Sequence, residues 1–264
     1  MIKIENTEVL GWEHAIRGMR NPMNSWGKGD SGTCSGQRCE TCKKKEPCKL
    51  VYTDNIGSFA LGKNDYDLMT KLCNAGTDHR KFMRMIVVYV DLTAPLYWWK
   101  EFDTYKVGTV ANSCSTMHKI AEKEFMLEDF SHEHLIDYTL YSCDDPEELC
   151  LKEAPHIQCG GVQLLHLTIN VLNFYRQRYL ETKDKKYWWQ IIQLLPSSYN
   201  QRRTVMLNYE VLANIYKSRR NHKLDEWHTF CDWIEELPYS ELITGEDNIG
   251  CNEGLNKHFG GCEE

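Results

Sequence analysis

Between Ala94 and His118 the chain sets an aromatic and acid/base cluster, Tyr97, Trp98, Trp99, Lys100 and Glu101, before a run of small polar residues, Asn112, Ser113, Cys114, Ser115 and Thr116. Apolar walls exclude water while a few compact donors and acceptors fix a ligand's orientation, so this order of residue types suits a small-molecule pocket. The plainer expectation for the same pattern is a buried aromatic helix followed by a loop. A second candidate for chemistry is the set Cys34, Cys39, Cys42 and Cys48, spaced C-x4-C-x2-C-x5-C. The close Cys39/Cys42 pair has the spacing of a chelating hairpin, and four thiolates suit a structural zinc or an iron–sulfur cluster. The overall spacing matches no standard zinc finger, and the competing expectation is a flexible loop with incidental thiols.

Elements must hold these residues. Ile2 and Ile4 predict a short strand. Val9, Leu10, Trp12, Ala15, Ile16 and Met19, at intervals of three and four, predict an amphipathic helix that Pro22 ends. The turn that follows offers two anion-facing groups, Arg20 and Ser25. Residues 27–49 hold no hydrophobic side chain besides cysteine and Pro47, so this insertion cannot pack itself and needs a cross-link or a metal to order it. A helix over 65–74 stops at Ala75-Gly76, and the β-branched run Met85 to Leu92 reads as a buried strand. A short helix over 97–102 follows. Residues 127–160 form an acidic excursion. There Cys143, Cys150 and Cys159 with His132, His134 or His156 offer a second metal set, against the plainer reading of a solvated loop. Four helices follow, one on Val162 to Tyr175, one over 187–195 stopped by Pro196, one on Leu207 to Tyr216, and one on Leu224 to Ile234. A single domain over 1–244 and a flexible tail over 245–264 result.

With 42% hydrophobic and 11% aromatic residues, the 264-residue chain can bury a sizeable core. A net charge of −7 argues against a nucleic-acid coat, so no nucleic-acid partner is expected. No apolar run approaches the ~20 residues that span a bilayer, and the N-terminus lacks the charged-then-apolar pattern of an export signal. A soluble, cytoplasmic chain is expected, with its 12 cysteines reduced or metal-bound. Cys73, Cys114 and Cys231 read as small core residues.

Leu195-Pro196-Ser-Ser is followed by Asn208, Leu212, Asn214 and Arg219 in N-x3-L-x-N-x4-R register, with His222 or Lys223 shortly after. Upstream come the 67–76 helix, Asp78-His79, the 85–92 strand, Ala94-Pro95 and Trp98–Glu101. This order resembles the flavin-dependent thymidylate synthases over most of the chain outside the two cysteine-rich segments and the tail. The resemblance implies an α+β fold of mixed helices with a central antiparallel sheet, assembled as a homotetramer with shared active sites. It also implies bound FAD, reduction by NADPH, and transfer of a one-carbon unit from methylenetetrahydrofolate to dUMP or a related pyrimidine nucleotide. By position, Arg219 would polarise the pyrimidine as the catalytic residue. Ser25, His79, Arg80, Tyr105, Lys106, Asn208, Asn214 and His222 would hold the flavin. Glu101, Asn112, Ser113, Cys114, Ser115 and Arg219 would cradle the nucleotide, and the aromatic cluster would form the mouth of that site.

The chain departs from the family at its signature. The expected Arg-His-Arg triplet reads Thr104-Tyr105-Lys106, the Arg that closes the next stretch is Thr116 or a neighbour, and the Arg before the Leu-Pro turn is Ile192 or Gln193. A bidentate guanidinium is not replaced by a neutral side chain without cost. The alternative is therefore a catalytically divergent nucleotide- or partner-binding protein on the same fold, with a metal-stapled cysteine loop.

Overall fold

The computed structural model describes residues 2–34, 50–53, 57–117, 119–136 and 160–245. Contacts divide the chain into two compact units. The terminal unit holds residues 4–91, 105–111 and 205–264, and the middle unit holds 1–3, 92–104 and 112–204. Strands β1 (Lys3–Leu10), β5 (Val87–Pro95), β6 (Val110–Ser113) and β7 (Asn200–Asn208) hydrogen-bond in the order β1-β5-β7-β6. A second sheet takes β2 (Gly32–Cys34), β3 (Leu50–Thr53) and β4 (Gly57–Ala60) in the order β2-β4-β3, both pairings antiparallel.

Two expectations shift here. Val9 and Leu10 belong to β1 rather than to the first helix, because Gly11 takes a left-handed φ of +94° and restarts the chain as α1 (Trp12–Arg20). A Cβ at Gly11 would lie 2.1 Å from the Met85 carbonyl oxygen, so only glycine fits this turn. Leu207 belongs to β7, not to the helix that follows. Gln201, Val205 and Leu207 are buried while Arg202 and Thr204 are exposed, a period of two that marks a strand.

In the terminal unit α1, α2 (Lys63–Asn74), α6 (Tyr209–Arg219), α7 (Asp225–Glu236) and the short α8 (Glu241–Thr244) share a core that includes Trp12, Met69, Leu212, Ile215, Trp227 and Phe230. Trp12 meets Tyr209 edge-on at 5.5 Å. An ion pair is buried in this unit: Arg20 Nη2 stands 2.6 Å from Asp65 Oδ1, with 5% and 0% of the two side chains exposed. The other Asp65 oxygen accepts from the backbone N–H groups of Asp30 and Ser31 and from the Ser31 hydroxyl. Burial raises the Asp65 pKa, but the hydrogen bonds from Ser31 and Arg20, joined by the two backbone donors, hold it below its ordinary value. Arg20 is therefore a structural cation and not the anion-facing group expected of its turn.

The middle unit holds α3 (Leu96–Phe102), α4 (Gly161–Thr182) and α5 (Lys185–Leu194). Trp98, Trp99 and Phe102 are buried to within 1% and pack on one another at ring distances of 5.0–5.2 Å. Trp99 Nε1 donates to the Gln201 carbonyl at 2.9 Å, and the Arg203 guanidinium lies 4.1 Å over its ring. The aromatic cluster is core, and the expectation that it forms the mouth of a nucleotide site is corrected. α4 and α5 close a second core of Phe125, Phe130, Leu165, Ile169, Leu172 and Ile191. The Asp184 side chain caps α5 by accepting from the Lys186 N–H at 3.0 Å.

Candidate functional site

Thr70, Cys73, Asn74 and Thr77 recur at helical spacing from α2 into the turn beyond it, while Asn214, Lys217 and Asn221 do the same along and just beyond α6. These two polar faces, with α8, line a cavity of about 510 Å³ within the terminal unit. That volume falls in the range of small-molecule sites. Arg80, Lys217 and Arg220 give the wall three cations, and Glu241 is its acid. Arg80 is oriented by Glu210, with Nη2 3.1 Å from Oε1 and Nε 2.9 Å from Oε2. Arg220 is held by Asp232 at 2.6 Å and Glu235 at 3.2 Å. Lys217 is exposed and makes no ion pair among the described residues. The buried Thr70 hydroxyl has no hydrogen-bond partner among them, which marks a polar place that a ligand group could fill. Burial pushes the Cys73 thiol up to about 12, so the sulfur in this wall is neutral at physiological pH and not a thiolate nucleophile.

Of the expected flavin-binding residues, Arg80 and Asn214 meet in this cavity. His79 is exposed on the turn before it, where its N–H donates to the Gly76 carbonyl. Ser25 stands beside Arg20, its hydroxyl oxygen 3.5 Å from Nη1. Asn208 is the N-cap of α6, its side-chain oxygen accepting from the Val211 N–H at 3.0 Å. Gly108 approaches it so closely that a Cβ there would lie 2.8 Å from the Asn208 amide nitrogen.

Arg219 looks elsewhere. Five residues on from Asn214, it lies about 140° around the helix, so the two point from different faces of α6. Its Nε donates to the Tyr105 hydroxyl at 3.0 Å, and its guanidinium lies 4.9 Å over the fully buried Trp227 ring. His222 follows in the next turn, its Nδ1 accepting from the Leu224 N–H at 3.2 Å and its ring 6.3 Å from Trp227. Lys106, next to Tyr105, is exposed.

Glu101 and the Asn112–Ser115 run belong to the middle unit. Glu101 is half-buried on α3. Asn112 and Ser113 lie on β6 with Cys114 directly after it, and all three are exposed, while Ser115 is half-buried. The run is thus the end of a strand rather than a loop. Its backbone is tied down by Cys114 N–H to the Arg202 carbonyl at 2.9 Å and by Gln201 Nε2 to the Cys114 carbonyl at 2.8 Å. Cys114 is not the core residue expected, because a β6 with every side chain exposed offers it no core to enter. Cys73 is half-buried and Cys231 is buried.

Cys39, Cys42 and Cys48 lie outside the described residues, as do Cys143, Cys150, Cys159 and His156. Cys34 ends β2, its backbone paired opposite Ser58. Among the described residues no group of three or more His, Cys, Asp and Glu is placed to hold a metal ion. No helix among them is long and apolar enough to cross a membrane. Sequence reasoning missed Thr70, Asn74 and Lys217. The signal was present as polar residues three and four apart on helices whose other faces are apolar.

The sequence matches no known protein family and no curated protein. Its fold does match solved structures. Thymidylate synthase X from Helicobacter pylori with FAD and dUMP is similar at a TM-score of 0.56 and 13% identity, over 94% of this chain and 98% of that one. A second structure of the H. pylori enzyme, also with FAD and dUMP, gives 0.54 and 14% over 93% and 98%. The UMP/dUMP methylase PolB from Streptomyces cacaoi, bound with 5-Br dUMP, gives 0.52 and 11% over 89% and 88%. The chain therefore has the fold of flavin-dependent thymidylate synthases, mixed helices with antiparallel sheet.

Proposed function

We propose that this chain is an FAD-dependent enzyme that methylates dUMP or a related pyrimidine nucleotide with methylenetetrahydrofolate, using NADPH as reductant and working as a cytoplasmic homotetramer. The observation that carries the reading is the cationic, amide-lined cavity between α2 and α6, on a fold shared with proteins solved with FAD and dUMP. A phosphate-rich dinucleotide suits that wall. Lys217 and Arg80 would face its phosphates, while Asn214 and the unpartnered Thr70 hydroxyl would bond its polar edges. FAD, when bound, supplies the redox chemistry that no side chain here can supply.

The chain's own residues orient and stabilise. Arg219, held between Tyr105 and Trp227, presents a fixed positive charge, and such a charge stabilises the anion that develops on a pyrimidine under attack. Glu101, Asn112, Ser113, Cys114 and Ser115 would cradle the nucleotide with small donors rather than full charges. His79, Lys106, His222 and Ser25 would complete the flavin side.

A second reading, a nucleotide- or partner-binding protein without turnover, is favoured by the same Tyr105. A phenol bonds the Arg219 side chain where the resemblance expects an imidazole between two guanidiniums. Purified protein separates the two. A yellow preparation whose reduced flavin is reoxidised on addition of dUMP and methylenetetrahydrofolate supports the enzyme. Nucleotide binding without flavin uptake selects the second reading, and a colourless protein that binds no dUMP overturns the enzyme and leaves only the partner-binding form of the second. Metal analysis of the same sample tests Cys34, Cys39, Cys42 and Cys48; less than one zinc or iron per chain removes the staple.

A further inference from the structure

Helix α4 carries two apolar faces. Leu165, Ile169 and Leu172 are buried in the core it shares with α5. Leu164, Leu167, Val171 and Phe174, spaced three, four and three apart, form a second stripe. Leu164 is 54% exposed, Leu167 56% and Phe174 58%. The stripe is prolonged at its start by Leu135 and Ile136, which are also exposed: Leu135 Cδ2 lies 3.5 Å from where a Gly161 Cβ would stand, and the Ile136 carbonyl accepts from the Gly161 N–H. A spacing of three and four is the seam of a helix that packs on another helix. Contiguous exposed apolar side chains of this size mark an interaction surface.

We infer that this face of α4 pairs with the same face of a second copy of the chain, antiparallel about a twofold axis at Ile169. Three features choose that occupant. Residues 161–175 contain no Asp, Glu, Lys or Arg, in a chain that is 26% charged. A charged partner has nothing to read there, whereas two copies that each carry −7 can meet on that neutral strip without opposing like charges. The stripe is also symmetric about position 169. The twofold sets Leu164 against the second copy's Phe174 and Leu167 against its Val171, with the reciprocal pairs generated at once. Finally the area is of the right order. An aromatic side chain offers about 150–250 Å² and an aliphatic one less; with 41–58% of Leu135, Ile136, Leu164, Leu167 and Phe174 open, each copy presents a few hundred Å², and two copies approach the ~1,000 Å² of a specific interface. The 22 residues of α4 give a rod about 33 Å long, ample for four turns of contact.

The inference rests on the oligomeric part of the function proposed above, and its test separates the two. Sedimentation velocity on the full chain should show a dimer or larger assembly. Leu167→Glu/Phe174→Glu should weaken the association at the α4 face by tenfold or more. Because both side chains face outward, circular dichroism should stay near wild type, as it should for the exposed control Val107→Glu, which keeps the assembly. The register is tested by a charge swap. Leu167→Glu alone should dissociate the pair, and Leu167→Glu/Val171→Lys should restore it, because each Glu meets the other copy's Lys. A wild type that stays monomeric at its highest soluble concentration overturns both the surface and the oligomer. An assembly that survives Leu167→Glu/Phe174→Glu overturns the surface alone, and failure of the charge swap overturns the antiparallel register.

Discussion

Helix α3, of 7 residues, and the facing pair α2 and α6, of 12 and 11, solve opposite problems. α3 spends Trp98, Trp99 and Phe102 on a core in which no more than 1% of each residue reaches solvent. Its first two N–H groups are taken by the carbonyls of Tyr199 and Ser197, at 3.0 Å each. What it leaves for a ligand is the exposed Lys100 and the half-buried Tyr97 and Glu101. α2 and α6 bury Met69, Leu212 and Ile215 on one side and on the other keep threonines, asparagines and cations around a cavity. The most aromatic stretch of the chain is thus structural, and the least conspicuous polar positions carry the candidate chemistry. Large apolar side chains gain most by leaving water altogether, so an aromatic cluster is a weaker sign of a ligand than a polar residue held on a helix that could have turned it outward.

The largest effect expected on the α3 side is that of Trp98→Ala, which should cost about 3–5 kcal/mol by deleting a ring from a closed core. Urea unfolding measures it, and a loss below about 1 kcal/mol would mean that α3 is not the anchor drawn here. Next comes Asp65→Asn in the terminal unit. Removing one member of a buried ion pair strands the other, so about 3 kcal/mol should be lost. This loss depends on pH. The Asp65 pKa is lower in the folded chain than its ordinary 3.8, so its contribution is complete above 3.8 and fades as the pH falls through the lower folded value. Wild type and Asp65→Asn should differ in full at neutral pH and converge in strong acid. A difference unchanged at acid pH would show that the carboxylate's charge is not what matters.

Lys217→Glu addresses the cavity from the other direction. An exposed lysine outside any ion pair among the described residues should leave stability within about 0.5 kcal/mol. Reversing its charge should weaken FAD binding by about tenfold or more, equivalent to about 1.4 kcal/mol. Flavin fluorescence against added salt is the measurement. Unchanged affinity would move the phosphates to another wall and leave the comparison with α3 without its functional half.

The order of helices, the stop at Gly76 and the strand after it were legible in sequence, because each rests on local periodicity and punctuation. Three things were not. Strand β7 hid because Leu207 lies four residues before Val211 and five before Leu212, so it joins a helical series as readily as the alternation of Gln201, Val205 and Leu207. The fate of Arg20 hid because its partner Asp65 lies 45 positions away, and long-range pairing leaves no local trace. The side to which β6 turns hid because Asn112, Ser113 and Cys114 suit a pocket lining and an open edge equally well. Fold was legible where neighbours in sequence decide it; of the cavity lining only Arg80 and Asn214 were singled out beforehand, and those through the family resemblance.

The smallest effect separates position from role at Asn208. As the N-cap of α6 it satisfies the Val211 N–H through its side-chain oxygen, so Asn208→Ala should cost about 1 kcal/mol. Asp at this position keeps an oxygen acceptor and favours a helix N-terminus, but it loses the amide donor and gains a charge. If capping is the whole role, Asn208→Asp should recover the stability lost in Asn208→Ala and leave FAD affinity at the wild-type value. If the amide bonds the flavin, Asn208→Asp should be as stable as wild type yet bind FAD more weakly. Urea unfolding and flavin titration on the same three proteins read the two roles apart. Asn208 then joins α3 among the structural features or Asn214 among the binding ones.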